Sequence, residues 1–93
     1  MKSIAFLLLA VPLSLADNCR PNIQYCGYNL LKRGNYYAQI NDALRDANQP
    51  TDETHVDQGL FWCTGGANGE ITFISFCQSG CHDGGTGRSD WCN

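Results

Sequence analysis

Residues 60–77 read LFWCTGGANGEITFISFC and carry the strongest strand signals in the chain. Two runs rich in aromatic and β-branched side chains flank a glycine-rich centre, which is the pattern of two strands joined by a turn. The pair Asn68-Gly69 is a strong hairpin signal, because both residue types tolerate positive φ. The pattern therefore predicts two antiparallel strands, at 55–63 and 71–77.

The second predicted strand carries apolar side chains on both of its faces. Ile71 and Phe73 point to one side of the sheet, whereas Ile74 and Phe76 point to the other. A strand that is apolar on both faces is typical of the middle of a sheet. We therefore expect this strand to lie centrally, with a helix covering one side.

A helical pattern precedes the hairpin. Apolar side chains recur at spacings of three and four, at Tyr36, Tyr37, Ile40, Ala43, Leu44 and Ala47. This periodicity predicts a helix over about 35–47, followed by a polar connector. The expected fold class is α+β: a small disulfide-stapled domain with one helix packed on a short antiparallel sheet, whose hairpin spans about 55–77.

The first sixteen residues have the organisation of a secretory signal peptide. Lys2 supplies a positive charge, and an uninterrupted apolar run follows over 4–11. The run ends at Pro12 and is shorter than the roughly 20 apolar residues of a membrane-spanning helix. We predict a signal peptide over 1–16 and a secreted, extracellular domain over 17–93.

All six cysteines follow the predicted cleavage site, at Cys19, Cys26, Cys63, Cys77, Cys81 and Cys92. An even number in a short exported chain is typical of a disulfide framework. Their spacings lack the paired Cys-x-x-Cys knuckles of structural zinc sites, so we predict neither a metal nor another cofactor. The connectivity stays open, but at least one of Cys19 and Cys26 should bond into 77–92, because that glycine-rich segment has little apolar content to hold it.

The predicted mature chain is anionic. Its five basic residues face nine acidic ones, which leaves a net charge of about −4. Such a charge repels phosphate backbones and anionic lipid heads. It argues against a nucleic-acid partner and against stable membrane insertion, and we expect a monomer. Lys32 and Arg33 form the one adjacent basic pair, which we interpret as a solvated surface pair.

Four scattered residues have the chemistry of a metal-independent ribonuclease, namely His55, Glu70, His82 and Arg88. A carboxylate base, a histidine acid and a cation are what phosphodiester cleavage needs. However, the sequence lacks the surrounding motif of the guanyl-specific fungal ribonucleases. A small secreted ribonuclease is therefore the enzymatic alternative to a non-enzymatic protein.

Two other features invite a functional reading. The loop 83–87, DGGTG, has the composition of an anion-binding backbone nest or part of a calcium loop, although a structural turn is favoured because the alternating acidic ligands are missing. The aromatic residues offer stacking faces for sugars, although burial is their usual role in a small core. These residues are Trp62, Trp91, Tyr25, Tyr28, Tyr36 and Tyr37.

The leader, the six cysteines, the tripeptide Tyr25-Cys26-Gly27 and the ending GCHDGGTGRSDWC over 80–92 together resemble the small secreted cysteine-rich proteins of filamentous ascomycete fungi. The resemblance implies an effector-like virulence protein that binds a host protein or a cell-wall glycan, in the host apoplast if the source is a plant pathogen. It carries over no functional residues. An antimicrobial or killer-like toxin is a third alternative, which the acidic charge disfavours.

Overall fold

A computed structural model describes residues 18–93, so the predicted leader and its cleavage site lie outside the described residues. The elements in chain order are β1 (Gln24–Cys26), α1 (Gly27–Arg33), α2 (Tyr37–Asp46), α3 (Glu53–Gln58), β2 (Gly59–Gly65), β3 (Glu70–Phe76), β4 (Cys81–His82) and β5 (Trp91–Cys92). The first three strands form one antiparallel sheet in the order β1-β2-β3, and β4 pairs with β5. The predicted α+β class is confirmed, and two short helices accompany the predicted one.

The hairpin forms where the glycine-rich stretch predicts it. Strands β2 and β3 pair antiparallel around a turn closed by a hydrogen bond from the Gly69 amide to the Gly66 carbonyl, at 3.2 Å. Both glycines have positive φ, as does Gly65 at the end of β2. A residue with a Cβ is strained in this region of backbone space, which explains the glycines.

The predicted central position of the second strand is wrong. Strand β3 lies at the edge of the sheet, and β2 lies in the middle. One face of β3 packs toward α2 through half-buried Ile71 and Phe73, whereas Thr72 and Ile74 on the other face are exposed. The prediction assumed that apolar side chains on both faces would both be covered. In the fold, Thr72 and Ile74 on the second face stay exposed.

Helix α2 matches its prediction to within two residues at each end. Its buried side chains include Ile40, Ala43 and Leu44, which lie on one face of the helix as their spacing requires. They join Phe61 of β2 in the main core, and Phe73 of β3 packs against this cluster. Burial of this stripe holds the helix on the sheet.

Residues 55–58 are helical, so the strand predicted over 55–63 begins four residues late. The preceding Asp52 caps α3, since its carboxylate accepts hydrogen bonds from the His55 amide and from His55 Nδ1, both at 2.8 Å. The hydrogen bond from the backbone amide, followed by that from the ring, holds the pKa of Asp52 below its usual value. In the sequence, Asp52 followed by Glu53 is the pattern that indicates the start of a helix at this position.

The amino-terminal segment 19–27 contains the strand β1. Residues of β1 pair with β2, with Tyr25 opposite Phe61, and α1 follows directly. The first residue of α1 is Gly27, and a Cβ there would collide with the Val56 carbonyl of α3. Glycine at this position therefore allows α1 and α3 to pack closely.

Two buried clusters hold the described chain together. The main core contains Cys19, Tyr25, Leu30, Tyr36, Ile40, Ala43, Leu44, Val56, Phe61 and Cys63. The second, which we call the cystine cluster, consists of Cys26, Leu60, Cys77 and Cys81, with Tyr28 and Cys92 packed against it. The disulfides are Cys19–Cys63, Cys26–Cys81 and Cys77–Cys92. The second is the expected link from the amino-terminal cysteines into the segment 77–92.

Candidate ligand-binding cleft

The four ribonuclease-type residues do not form one site. The ring of His55 stacks on Phe76 at one end of β3, with the ring centroids 4.1 Å apart, whereas Glu70 begins the same strand. Six residue steps at about 3.3 Å separate the two strand ends, or roughly 20 Å. His82 stacks on Trp91 in the β4–β5 pair, at 4.4 Å between centroids. The fold thus separates Glu70 from His55.

The loop 83–87 forms a turn. The Asp83 carboxylate accepts a hydrogen bond from the Gly85 amide at 2.9 Å, and Gly85 and Gly87 both have positive φ. Residues 18–93 contain no group of three or more His, Cys, Asp or Glu side chains able to hold a metal ion. The loop contributes instead to a cleft on the protein surface.

This cleft, which we call the basic cleft, has a volume of about 420 Å³. One wall comes from the segment before β1, from β1 itself and from α1, through Arg20, Tyr25, Asn29, Lys32 and Arg33. The rest of the lining comes from the carboxy-terminal loop, through Asp83, Gly85, Thr86, Gly87, Arg88 and Asp90. Two segments whose residues are fifty or more positions apart in the chain therefore form one cleft.

Four of the five basic residues in 18–93 line the basic cleft, and the fifth, Arg45, lies on α2. Arg45 pairs with Asp42 at 3.0 Å. The other ion pair among the described residues joins Asp52 to His55. The cleft cations thus form no ion pair with any described carboxylate, although the chain as a whole is acidic.

Neighbouring groups position these cations. The Arg33 side chain donates from Nε to the Asn18 carbonyl at 2.8 Å, and its guanidinium lies 5.7 Å from the centre of the Tyr25 ring. Lys32 Nζ lies 5.8 Å from the centre of the Tyr28 ring. Both distances suit a cation–π contact, which orients the charge and leaves it able to bind an anion.

Asp90 links the two segments that line the cleft. The residue is 97% shielded from solvent, and its carboxylate accepts three hydrogen bonds: from the Cys26 amide at 2.8 Å, from Asn29 Nδ2 at 2.9 Å and from the Gly84 amide at 2.8 Å. The Asp90 amide in turn donates to the Gln24 carbonyl at 2.9 Å. Because its oxygens are engaged in this way, Asp90 acts as a structural clamp.

Tyr28 belongs to the support of the cleft. Its hydroxyl donates to the Cys81 carbonyl at 2.8 Å. Burial, followed by the nearby charges of Asp90 and Asp83, raises the pKa of Tyr28 above its usual value. The phenol therefore stays neutral and keeps its hydrogen bond over the physiological pH range.

The basic cleft was not predicted from the sequence. Lys32 and Arg33 were interpreted as a solvated surface pair, and the loop 83–87 was considered as an anion-binding nest. The adjacent pair was the one local signal, since Arg20 and Arg88 lie far from it in the chain. Only the pairing of the carboxy-terminal segment with β1 brings these residues together.

Searches against protein-family models, curated proteins and solved structures found no match to this chain. None of the helices formed by residues 18–93 has the length and apolar character needed to cross a bilayer. With all six cysteines paired, the chain is a small disulfide-rich protein, and such frameworks fit an oxidising, extracellular environment.

Proposed function

We propose that this chain is a secreted, effector-like binding protein without enzymatic activity, and that its basic cleft captures an anionic component of a host or a competitor. The observation that carries the proposal is the convergence of Arg20, Lys32, Arg33 and Arg88 on one cleft, none of them paired with a described carboxylate. Scattered surface cations need no explanation, but four of five in one concave site of an acidic protein favour a ligand of opposite charge.

Two further features support binding rather than chemistry in the cleft. None of the residues His55, His82 and Glu70 lines the cleft, so the candidate groups for proton transfer lie outside it. The carboxylate of Asp90 is engaged by three donors and shielded from solvent. The effector-like role and the host setting rest on the resemblance to secreted fungal proteins.

The experiment that tests this function is a calorimetric titration of the secreted protein with three anions: a tri-uronate, tripolyphosphate and short dextran sulfate. We expect at least one to bind, with an affinity that falls as salt rises. The double variant Lys32→Gln/Arg33→Gln should lower the affinity at least about tenfold, because each lost charge-assisted hydrogen bond removes about 1 kcal/mol or more of binding free energy.

The variant Arg45→Gln is the charge control: it removes one positive charge from α2, away from the cleft, whereas the double variant removes two from the cleft. We expect its affinity to stay close to that of the unmodified protein. Failure of all three anions to bind would contradict the proposal. An equal loss in Arg45→Gln would also contradict it, because binding would then follow the net charge rather than the cleft.

A further inference from the structure

We infer that the ligand of the basic cleft is an oligosaccharide that contains uronic acids, an inference that rests on the proposed anion-binding function. The size of the site is the first argument. The cleft measures about 420 Å³, within the range of sites for small organic ligands. A single phosphate or sulfate ion would fill only a small part of it.

The placement of the cations is the second argument. Arg20, Lys32 and Arg33 come from the amino-terminal part of the lining, and Arg88 comes from the carboxy-terminal loop. The side chain of Arg20 approaches that loop, since its Nη1 atom lies 3.3 Å from where a Cβ on Gly87 would be. Four cations in one cleft favour a ligand with several anionic groups, and the planar guanidinium matches a carboxylate with two parallel hydrogen bonds.

The acceptors in the cleft are the third argument. Asp83 is exposed, and only one of its carboxylate oxygens is engaged by a described donor, the Gly85 amide. Next to it, Thr86 adds an exposed hydroxyl. A polyphosphate, which carries acceptors only, would be repelled by Asp83. A uronic-acid sugar carries both carboxylates for the cations and hydroxyls that can donate to Asp83.

The aromatic groups argue against single-stranded nucleic acids and neutral sugars as ligands. Tyr25 is the aromatic residue that lines the cleft, but it is 91% shielded from solvent, and its hydroxyl accepts a hydrogen bond from the Arg20 amide. The exposed Trp91 is not among the lining residues. Single-stranded nucleic acids and neutral sugars depend on exposed aromatic faces for stacking, and the lining of this cleft does not present one.

The test compares four ligands by calorimetry on the disulfide-bonded protein: trigalacturonate, triglutamate, tripolyphosphate and a short single-stranded RNA. Trigalacturonate and triglutamate share their side carboxylates, but only the sugar has hydroxyls. We expect trigalacturonate to bind about tenfold more tightly than the other three: triglutamate lacks the hydroxyls, Asp83 repels tripolyphosphate, and the bases of the RNA find no exposed aromatic face in the lining.

The variant Asp83→Asn should change the affinities for trigalacturonate and for tripolyphosphate in opposite directions. Its amide oxygen can still accept from the Gly85 amide, so the turn is kept, but the free carboxylate oxygen is lost. For trigalacturonate, affinity should fall about fivefold, since a hydrogen bond to a charged acceptor becomes a neutral one. For tripolyphosphate, affinity should rise, because a repulsive charge is removed.

Three results would overturn the saccharide inference and leave anion binding intact. These are tighter binding of tripolyphosphate or RNA than of the sugar, equal binding of triglutamate and trigalacturonate, and a gain in affinity for trigalacturonate in Asp83→Asn. Absence of binding by every anion, here and in the dextran sulfate titration, would instead remove the proposed function itself.

Discussion

The main core and the carboxy-terminal segment 77–93 are stabilised by different forces. In the main core, α2 lies on the β2–β3 hairpin through fully buried apolar side chains such as Ile40, Leu44 and Phe61. In segment 77–93, the buried residues are cysteines and Asp90. Two disulfides and hydrogen bonds therefore hold this segment, which also forms one wall of the basic cleft. The shape of the basic cleft should therefore depend on oxidation of these cysteines more directly than the packing of α2 on the hairpin does.

The hydrogen bonds of the segment support this contrast. The Cys81 amide donates to Gln58 Oε1 at 2.7 Å, and the Gln24 amide donates to Ser89 Oγ at 3.0 Å. Each such bond contributes about 1 kcal/mol, less than burial of one large apolar side chain. Many small contributions and the covalent links thus replace a core in this part of the molecule.

Truncation of the main core should have the largest effect. The change Phe61→Ala removes a fully buried ring that makes an edge contact with Phe73, and we expect it to lower the free energy of unfolding by about 3 to 5 kcal/mol. Urea denaturation checks this. The control is Ile74→Ala, on the exposed face of β3, which should cost less than about 1 kcal/mol. Equal losses of unfolding free energy in the two variants would contradict the burial of Phe61 in the main core.

Loss of the last disulfide should act on the segment alone. The double change Cys77→Ser/Cys92→Ser opens a loop of 15 residues, for which chain entropy gives about 3 kcal/mol. Hydrogen exchange followed by mass spectrometry should show faster exchange over 78–93, with α2 still protected. Equal loss of protection in α2 would contradict the separation of the two regions.

Removal of the Asp90 charge should loosen the cleft. In Asp90→Asn, an NH2 group replaces one of the two carboxylate oxygens, so that a donor meets the amide of either Cys26 or Gly84. We expect this change to lower the free energy of unfolding by about 2 kcal/mol. The Gly84 amide should exchange faster, and affinity for the anionic ligand should fall. Asp46→Asn removes the same charge from the exposed side of α2 and should change neither quantity. Similar effects in both variants would indicate a response to net charge only.

The smallest effect concerns the cap of α3. Hydrogen bonds to His55 lower the pKa of Asp52, so its contribution to stability is present above the unfolded pKa of about 3.9 and is lost as pH falls through the lower folded pKa. Asp52→Ala should therefore reduce the melting temperature slightly at pH 7, and by less once the pH falls below the folded pKa of Asp52. Asp52→Asn should retain most of the cap at both pH values. A pH-independent loss in Asp52→Ala would contradict the ionic part of the cap.

Local patterns in the sequence determined much of the hairpin and of α2. The hairpin turn follows from glycines that tolerate positive φ, and the helix follows from apolar residues at spacings of three and four. The even cysteine count predicted a disulfide framework, because a domain of this size has a small core and benefits from covalent support. Such signals act over a few residues, so they can be read without knowledge of the partner segments.

Tertiary structure alone decided the position of β3, the disulfide pairing and the basic cleft. Whether β3 lies at the edge depends on what covers its second face, and no residue within β3 contains that information. Arg20 and Arg88 approach the Lys32–Arg33 pair only because β1 pairs with β2 while Asp90 and Cys26–Cys81 hold the carboxy-terminal loop against them. Side chains this far apart in the chain become neighbours through long-range pairing, which local sequence patterns do not specify.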